Sequence, residues 1–341
     1  MTPNIEGMTI ANGTGNEPSG ATKTAGNSPP STEIVSRSTC IAGSIVPSGV
    51  PSLRTLPQDL RTFARYHLVR RSVDYPARES ALGIAALEFD FDDYIASLRS
   101  FATAEPTPFA IETAADLPYQ GRDHSSLILR SPPTSGPRLL VLAGVHGNEH
   151  AGLLAVVPIL EAFGQRTDEV GLTVIAPVNP VGAAQLSRYN ADGYDVNRDF
   201  VRFETTEARV VRDAIASERP RFIASLHEGP QDATFMFTNR QVSGELAARL
   251  ASALAAGGTE LATVDYFGRT LRPAGIAPMN RPTWLLSKLW AGALKMKATG
   301  LYADELGIPE ITLESSWRDP DPSARVRAHV DLVAAILDCL S

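Results

Sequence analysis

Residues 138–152 read Arg-Leu-Leu-Val-Leu-Ala-Gly-Val-His-Gly-Asn-Glu-His-Ala-Gly. The unbroken apolar run predicts a buried strand that ends at Ala143. Gly144 and Gly147 follow, and small residues there allow the tight backbone needed to aim neighbouring side chains at one point. His146 and Glu149 lie in that loop, and an apolar helix is predicted from His150 to Phe163. In open α/β sheets, functional groups gather at the carboxyl ends of strands. An imidazole and a carboxylate three residues apart at such an end supply half of a metal site.

The same alternation continues on both sides of this unit. Leu172–Ala176, Arg221–Leu226 and Glu310–Glu314 read as further buried strands. Helical spacing of Val210, Val211, Ala214 and Ile215 predicts a helix over 204–218, and others are predicted over 244–256 and 323–340. Strands alternating with helices define an α/β fold class, a mostly parallel mixed sheet sandwiched by helices. Upstream, Ser125–Leu129 and Arg138–Leu142 flank the turn-rich SPPTSGP, which predicts a hairpin or an adjacent strand pair. Asp92–Phe101 predicts a short helix opened by acidic residues.

Residues 1–55 are rich in Gly, Ser, Thr, Pro and Asn and are expected to form a disordered tail. Residues 56–115 form an extension whose packing the sequence leaves open, and 116–341 are expected to be the catalytic domain.

Two more strand ends carry polar groups. His227 closes Arg-Phe-Ile-Ala-Ser-Leu-His and completes a two-histidine, one-carboxylate set, the ligand type of catalytic zinc sites that keep a position open for water. A buried, hydrogen-bonded histidine is the ordinary alternative. Glu314 closes Ile-Pro-Glu-Ile-Thr-Leu-Glu, where it either forms a salt bridge or takes a proton from an activated water. His67, His124 and His329 lack such a context, and His150 is expected to cap or pack its helix. Between these strand ends, Arg188 to Phe200 forms a loop marked by Asn190 and Gly193. Its arginines can bind a carboxylate bidentately or stabilise an oxyanion.

Taken in order, His146-x-x-Glu149, Asp-Val-Asn197-Arg198-Asp-Phe, a strand-borne His227 and Thr-Leu-Glu314 resemble the zinc metallocarboxypeptidase superfamily, from about Phe109 to the C-terminus. The resemblance implies one Zn2+ per chain on His146, Glu149 and His227. It implies Glu314 as general base, kept ionised by zinc and Arg188, and Arg188 as the group that polarises the scissile carbonyl. Asn197 and Arg198 would hold the substrate's terminal carboxylate. A mobile tyrosine is also implied. Tyr302 is the candidate and Tyr266 its rival, with packing as the ordinary role of both. Side-chain specificity would arise near Thr299–Leu301, where no charged residue stands at the centre. Trp317 would wall the cleft or belong to the core.

Two branches remain open within this resemblance. The first is a carboxypeptidase acting on peptides, favoured by the loop and by Ile-Thr-Leu-Glu-Ser-Ser-Trp. The second is an N-acyl amino acid deacylase of the aspartoacylase and succinylglutamate desuccinylase type, suggested by His-Gly-Asn-Glu. A third reading, of a different class, is a non-catalytic module that binds a carboxylate ligand. All three expect a partner with a free carboxylate.

A formal net charge of −7 and the absence of a basic run argue against nucleic acid. No apolar stretch of 18 residues exists, so no membrane span is expected. The chain has 2 cysteines, Cys40 and Cys339, far apart in sequence. That usage fits a reducing compartment, and a cytoplasmic protein is expected. Oligomeric state is not legible.

Overall fold

The computed structural model of the protein describes residues 87–104, 109–164 and 169–341. The tail expected over 1–55 and the extension up to residue 86 lie outside the described residues. Nine α-helices, one short 3-10 helix (Val196–Arg198) and eight named strands are described. The strands are β1 (Ala110–Tyr119), β2 (Arg122–Arg130), β3 (Arg138–Ala143), β4 (Gly171–Ala176), β5 (Phe222–Gly229), β6 (Phe235–Thr238), β7 (Ile276–Pro278) and β8 (Glu310–Ser316). They form one sheet in the order β1-β2-β4-β3-β5-β8-β6-β7. The central strands β4, β3, β5 and β8 are mutually parallel. β6 runs antiparallel to β8, and β2 antiparallel to β4.

The parallel block reads as continuous apolar sequence because helices cover both faces. Leu139, Leu140, Val141, Leu142 and Ala143 are all fully buried. Alternate side chains of β3 enter different cores. Leu139, Val141 and Ala143 pack with Leu153 of α2 (His150–Leu154), with Ile159 and Phe163 of α3 (Val156–Phe163), with Leu250 of α6 (Gly244–Ala256) and with Leu332 of α9 (Pro322–Leu340). Tyr94 and Leu98 of α1 (Phe91–Thr103) join the same core. Leu140 and Leu142 pack instead with Val211 and Ile215 of α5 (Thr206–Glu218) and with Ala303 of α8 (Thr299–Glu305). Truncating any one of the β3 leucines to Ala should cost about 2–5 kcal/mol. The remaining helices are α4 (Pro180–Gln185) and α7 (Arg281–Leu294).

Several expectations shift. The single helix over 150–163 is two, because Ala155 separates α2 from α3. The expected pairing of 125–129 with 138–142 does not occur, since β4 lies between β2 and β3. The hairpin is instead β1–β2, closed by Gln120 and Gly121 at φ 49° and 77°. Two positive φ values are the signature of a twist-matched two-residue turn, and Gln-Gly is a weak form of it in sequence. β1 also crosses residue 116, so the sheet starts before the boundary expected from composition. Among the described residues, no helix is long and apolar enough to cross a membrane.

The register brings β3, β5 and β8 to a common end. His227 pairs with Glu314 across the parallel β5–β8 ladder, which puts the two side chains on one face. Their successors Glu228 and Ser315 are paired too and face the other way.

Candidate active site

The chain leaves β3 through Gly144 at φ 70°, a left-handed conformation that disfavours a side chain. At Gly147 a Cβ would collide with the backbone of Gly182 and Ala183, so the loop can lie against α4 only without one. Held this way, His146 and Glu149 meet His227 from β5. Their donor atoms lie within 4.8 Å of one another. All three residues are buried.

Glu149 divides its carboxylate between the two rings. Its Oε1 is 2.7 Å from His146 Nδ1 and its Oε2 is 2.7 Å from His227 Nδ1. The two Nδ1 atoms are 3.1 Å apart. Each outer nitrogen has its own acceptor. His146 Nε2 lies 3.2 Å from Asp195 Oδ1, and His227 Nε2 lies 3.0 Å from Ser225 Oγ. This pattern orients both rings with Nδ1 inward, as outer hydrogen bonds do for metal-bound histidines. Two imidazoles and one carboxylate fit a divalent transition ion with positions left open. No other group of described His, Cys, Asp or Glu residues offers such a cluster.

Arg188 stands over this cluster. Its Nη1 is 3.2 Å from His146 Nδ1 and 3.6 Å from Glu149 Oε1. Its Nε and Nη2 donate to Asp195 Oδ2 at 3.1 and 3.0 Å. Asp195 therefore fixes both His146 and Arg188. The loop that carries it is shaped by Asn190, whose Oδ1 accepts from the backbone of Asp192 and Tyr194 at 3.1 and 2.8 Å. Asn197 Oδ1 accepts from the Thr299 amide at 3.0 Å, and Arg198 Nη1 donates to the Asn197 carbonyl at 2.8 Å. Strand-like bonding between Arg198–Phe200 and Lys297 pins this segment to the chain that enters α8.

Charge and burial act against each other here. Burial pushes the Glu149 carboxyl up, but His146 and His227 hold it below the usual carboxylate range. Burial likewise opposes ionisation of Asp195, and Arg188, Arg198 and His146 hold it well below that range. Burial lowers the His227 imidazole. Glu314 is pushed well up, first by burial and then by the Glu149 carboxylate, with Arg188 and Arg198 pulling the other way. Without a cation among the donors, burial outweighs the arginines.

The chain matches the family described as the succinylglutamate desuccinylase/aspartoacylase catalytic domain over residues 135–263. It is similar to carboxypeptidase 2 of Trichophyton tonsurans, at 27% identity over 141 residues. That match covers 39% of this chain and 26% of the relative, so the chain spans only about a quarter of its length. The fold is that of solved metallopeptidase structures. A chain from Shewanella denitrificans that carries a metallopeptidase name aligns with a TM-score of 0.58 at 18% identity, covering 74% of this chain and 90% of that one. The metallo-carboxypeptidase of Pseudomonas aeruginosa, solved with (2-guanidinoethylmercapto)succinic acid, aligns with a TM-score of 0.51 at 20% identity over 74% and 69%.

These similarities agree with the resemblance to the metallocarboxypeptidase superfamily read from the sequence.

Against that superfamily pattern, one sequence candidate is displaced. Tyr302 lies on α8 with its ring 5.9 Å from Phe200 and 5.3 Å from Phe203. The charged groups that act on its hydroxyl are Arg212, Asp213 and Glu305, none of them in the site. Helix α8 turns Leu301 and Ala303 into the protein and leaves Tyr302 packed over α5. Tyr266 is the tyrosine beside the site. It packs on Phe235, the cross-strand partner of Glu314, at 5.6 Å. Loss of solvation, then the Glu314 carboxylate, push its hydroxyl well above the usual range, while Arg198 and Arg188 oppose them. The residue remains 38% exposed, so it stands at the rim.

Asp195 was legible only as part of the Asp-Val-Asn-Arg segment. Its position two residues before Asn197 was the signal. Gln231 carries no sequence signal, yet its Nε2 donates to the Glu314 carbonyl at 2.8 Å and holds that strand end. His150 stacks on Phe89 at 4.0 Å, in line with the packing role expected for it.

Proposed function

We propose that the protein is a zinc-dependent hydrolase that cleaves an amide bond next to a free carboxylate, in the first instance a carboxypeptidase that removes C-terminal residues from peptides. The observation that supports this best is the convergence of His146, Glu149 and His227 beside a buried Glu314 and an inward-facing Arg188. One Zn2+ per chain would be held by those three residues, and when bound it supplies a Lewis acid that acidifies water and polarises a carbonyl.

The protein's own groups do the rest. Glu314, in its ionised form, accepts the proton of the attacking water and returns it to the leaving nitrogen. Arg188 donates to the oxyanion that develops on the carbonyl oxygen, and its bonds to Asp195 keep it aimed without reorganisation. Arg198 and the amide nitrogen of Asn197 grip the substrate carboxylate, since Asn197 Oδ1 is already used by Thr299. That grip places the scissile bond and supplies orientation. Tyr266, not Tyr302, closes over the substrate from the rim. A cytoplasmic setting belongs to the same reading.

The deacylase branch is kept because the matching family over 135–263 is named for desuccinylase and aspartoacylase enzymes. The zinc-loaded protein should be offered short peptides and N-acyl amino acids, with products read by mass spectrometry and Glu314→Gln as control. Loss of single C-terminal residues supports the first branch. Release of acyl groups alone moves the protein to the second, and silence on both panels with metal bound removes the hydrolase reading.

A further inference from the structure

Positive charge and exposed apolar surface gather in one stretch of the chain. Residues 261–303 hold six basic side chains against one acidic, Asp265, in a chain whose formal net charge is −7. Every strongly exposed large apolar residue among the described residues, Leu306 excepted, lies in the same stretch. A single leucine on a surface needs no explanation, whereas a contiguous apolar patch marks a contact.

The patch centres on α7, which buries only Ala291. Leu285, Leu286 and Leu289 are 65%, 51% and 63% exposed, and their spacing puts them on one outward stripe with the exposed Trp290. Arg281, Lys288 and Lys295 recur at intervals of seven residues, so they form a row along one flank of that stripe. Lys288 pairs with Glu305, whereas Arg281 and Lys295 have no ion-pair partner among the described residues. The helix is held with this stripe outward. Asn280 Oδ1 accepts from the Thr283 amide at 3.0 Å, the Arg240 guanidinium lies over the Trp284 ring at 4.3 Å, and Met296 just past the helix is buried. The chain leaving α7 runs into the site, where the Lys297 amide donates to the Arg198 carbonyl at 3.0 Å and the Phe200 amide to the Lys297 carbonyl at 3.2 Å.

We propose that α7 docks the protein on an anionic phospholipid surface, lying in its plane without spanning it. The leucines enter the boundary of the acyl chains, and Arg281 and Lys295 reach the headgroup phosphates. Leucine and tryptophan on a convex helix beside a row of cations are what such an interface takes, since long basic side chains keep their charge in the headgroups while their stems cover apolar surface. A second copy of α7 supplies less. It brings no carboxylate to the cation row in either orientation, because residues 266–303 contain no acidic residue. Docking in this way sets the helix that ends beside Arg198 against the lipid. The proposal goes beyond the hydrolase reading and does not depend on it.

The test is flotation of the full-length protein with vesicles of phosphatidylcholine containing about one-third phosphatidylglycerol, beside vesicles of phosphatidylcholine alone. Partitioning onto the anionic vesicles should exceed that onto the neutral ones by about tenfold or more, and should weaken as salt rises to about 0.5 M. Two double variants, Leu285→Gln with Leu289→Gln and Arg281→Glu with Lys295→Glu, should each lower partitioning onto the anionic vesicles by about tenfold or more. Both should melt within about 3 °C of wild type, because all four side chains are exposed. No partitioning of the wild-type protein onto anionic vesicles overturns the proposal and leaves the face to an acidic protein partner. Partitioning that survives both double variants overturns it as well. So does a wild-type protein that light scattering shows to be a dimer and that becomes a monomer when the two leucines are replaced, since the face then belongs to a second copy.

Discussion

His146 Nδ1 and His227 Nδ1 face each other at 3.1 Å, although 81 residues separate them. Two imidazole nitrogens cannot both present lone pairs at that distance without a proton or a cation between them. The shared Glu149 carboxylate, at 2.7 Å from each, makes a divalent cation the better occupant.

His227→Ala should therefore abolish stoichiometric zinc binding while the sheet still forms, because β5 contributes buried apolar residues on either side of it. Chelation of wild-type protein should lower its melting temperature in proportion to metal affinity. Calorimetry and metal analysis check both outcomes. Tight zinc binding by the Ala variant contradicts the assignment.

Glu314→Gln should retain zinc and lower kcat by about 100-fold or more, because only proton transfer is removed. Wild-type turnover in this variant refutes the base.

Asp195 touches both His146 and Arg188. Asp195→Asn should weaken zinc affinity by about 10–100-fold, the range typical for residues that orient a metal-bound histidine. It should also lower kcat, since Arg188 loses a charged partner. Unchanged zinc affinity in a titration contradicts this role.

The two tyrosines should separate cleanly. Tyr266→Phe should raise KM or lower kcat by about tenfold through the loss of one hydrogen bond to substrate. Tyr302→Phe should leave both within twofold, as it packs against Phe200 and Phe203. The reverse ranking in steady-state kinetics restores Tyr302.

Glu207 offers a pH test away from the chemistry. It is 1% exposed, its Oε2 accepts from Asn190 at 3.2 Å, and burial pushes its carboxyl up to about 7. A raised folded value means the native state holds a proton that the unfolded chain releases. Wild type should thus lose stability from this group as pH rises from the ordinary glutamate range through 7. The full loss is roughly 3 kcal/mol. Glu207→Gln should match wild type near pH 5 and exceed it at pH 8 in urea melts. A constant difference between the two proteins across that range contradicts the buried-acid account.

The parallel block was legible because Arg138–Ala143, Phe222–His227 and Glu310–Glu314 are short, largely apolar runs that end in, or lead directly into, the polar residues of the site. The three metal-site candidates were legible for the same reason, each lying at such an end. The β1–β2 hairpin was not, because Gln120-Gly121 lacks the Asn or Asp that usually marks the turn, while the proline-rich stretch 131–137 imitates one. Tyr302 was misassigned because distance along the chain says nothing about which side of α8 a residue occupies. Tyr266 reaches the site from a loop far upstream of Glu314, through its packing on Phe235.

The most direct measurement compares kcat/KM of the zinc-loaded protein on one short peptide with a free C-terminal carboxylate and on the same peptide as its C-terminal amide. The account expects the free acid to be cleaved at least 100-fold faster, because Asn197 and Arg198 grip the carboxylate that the amide lacks. Equal rates on the two peptides, or cleavage at internal bonds, would contradict it.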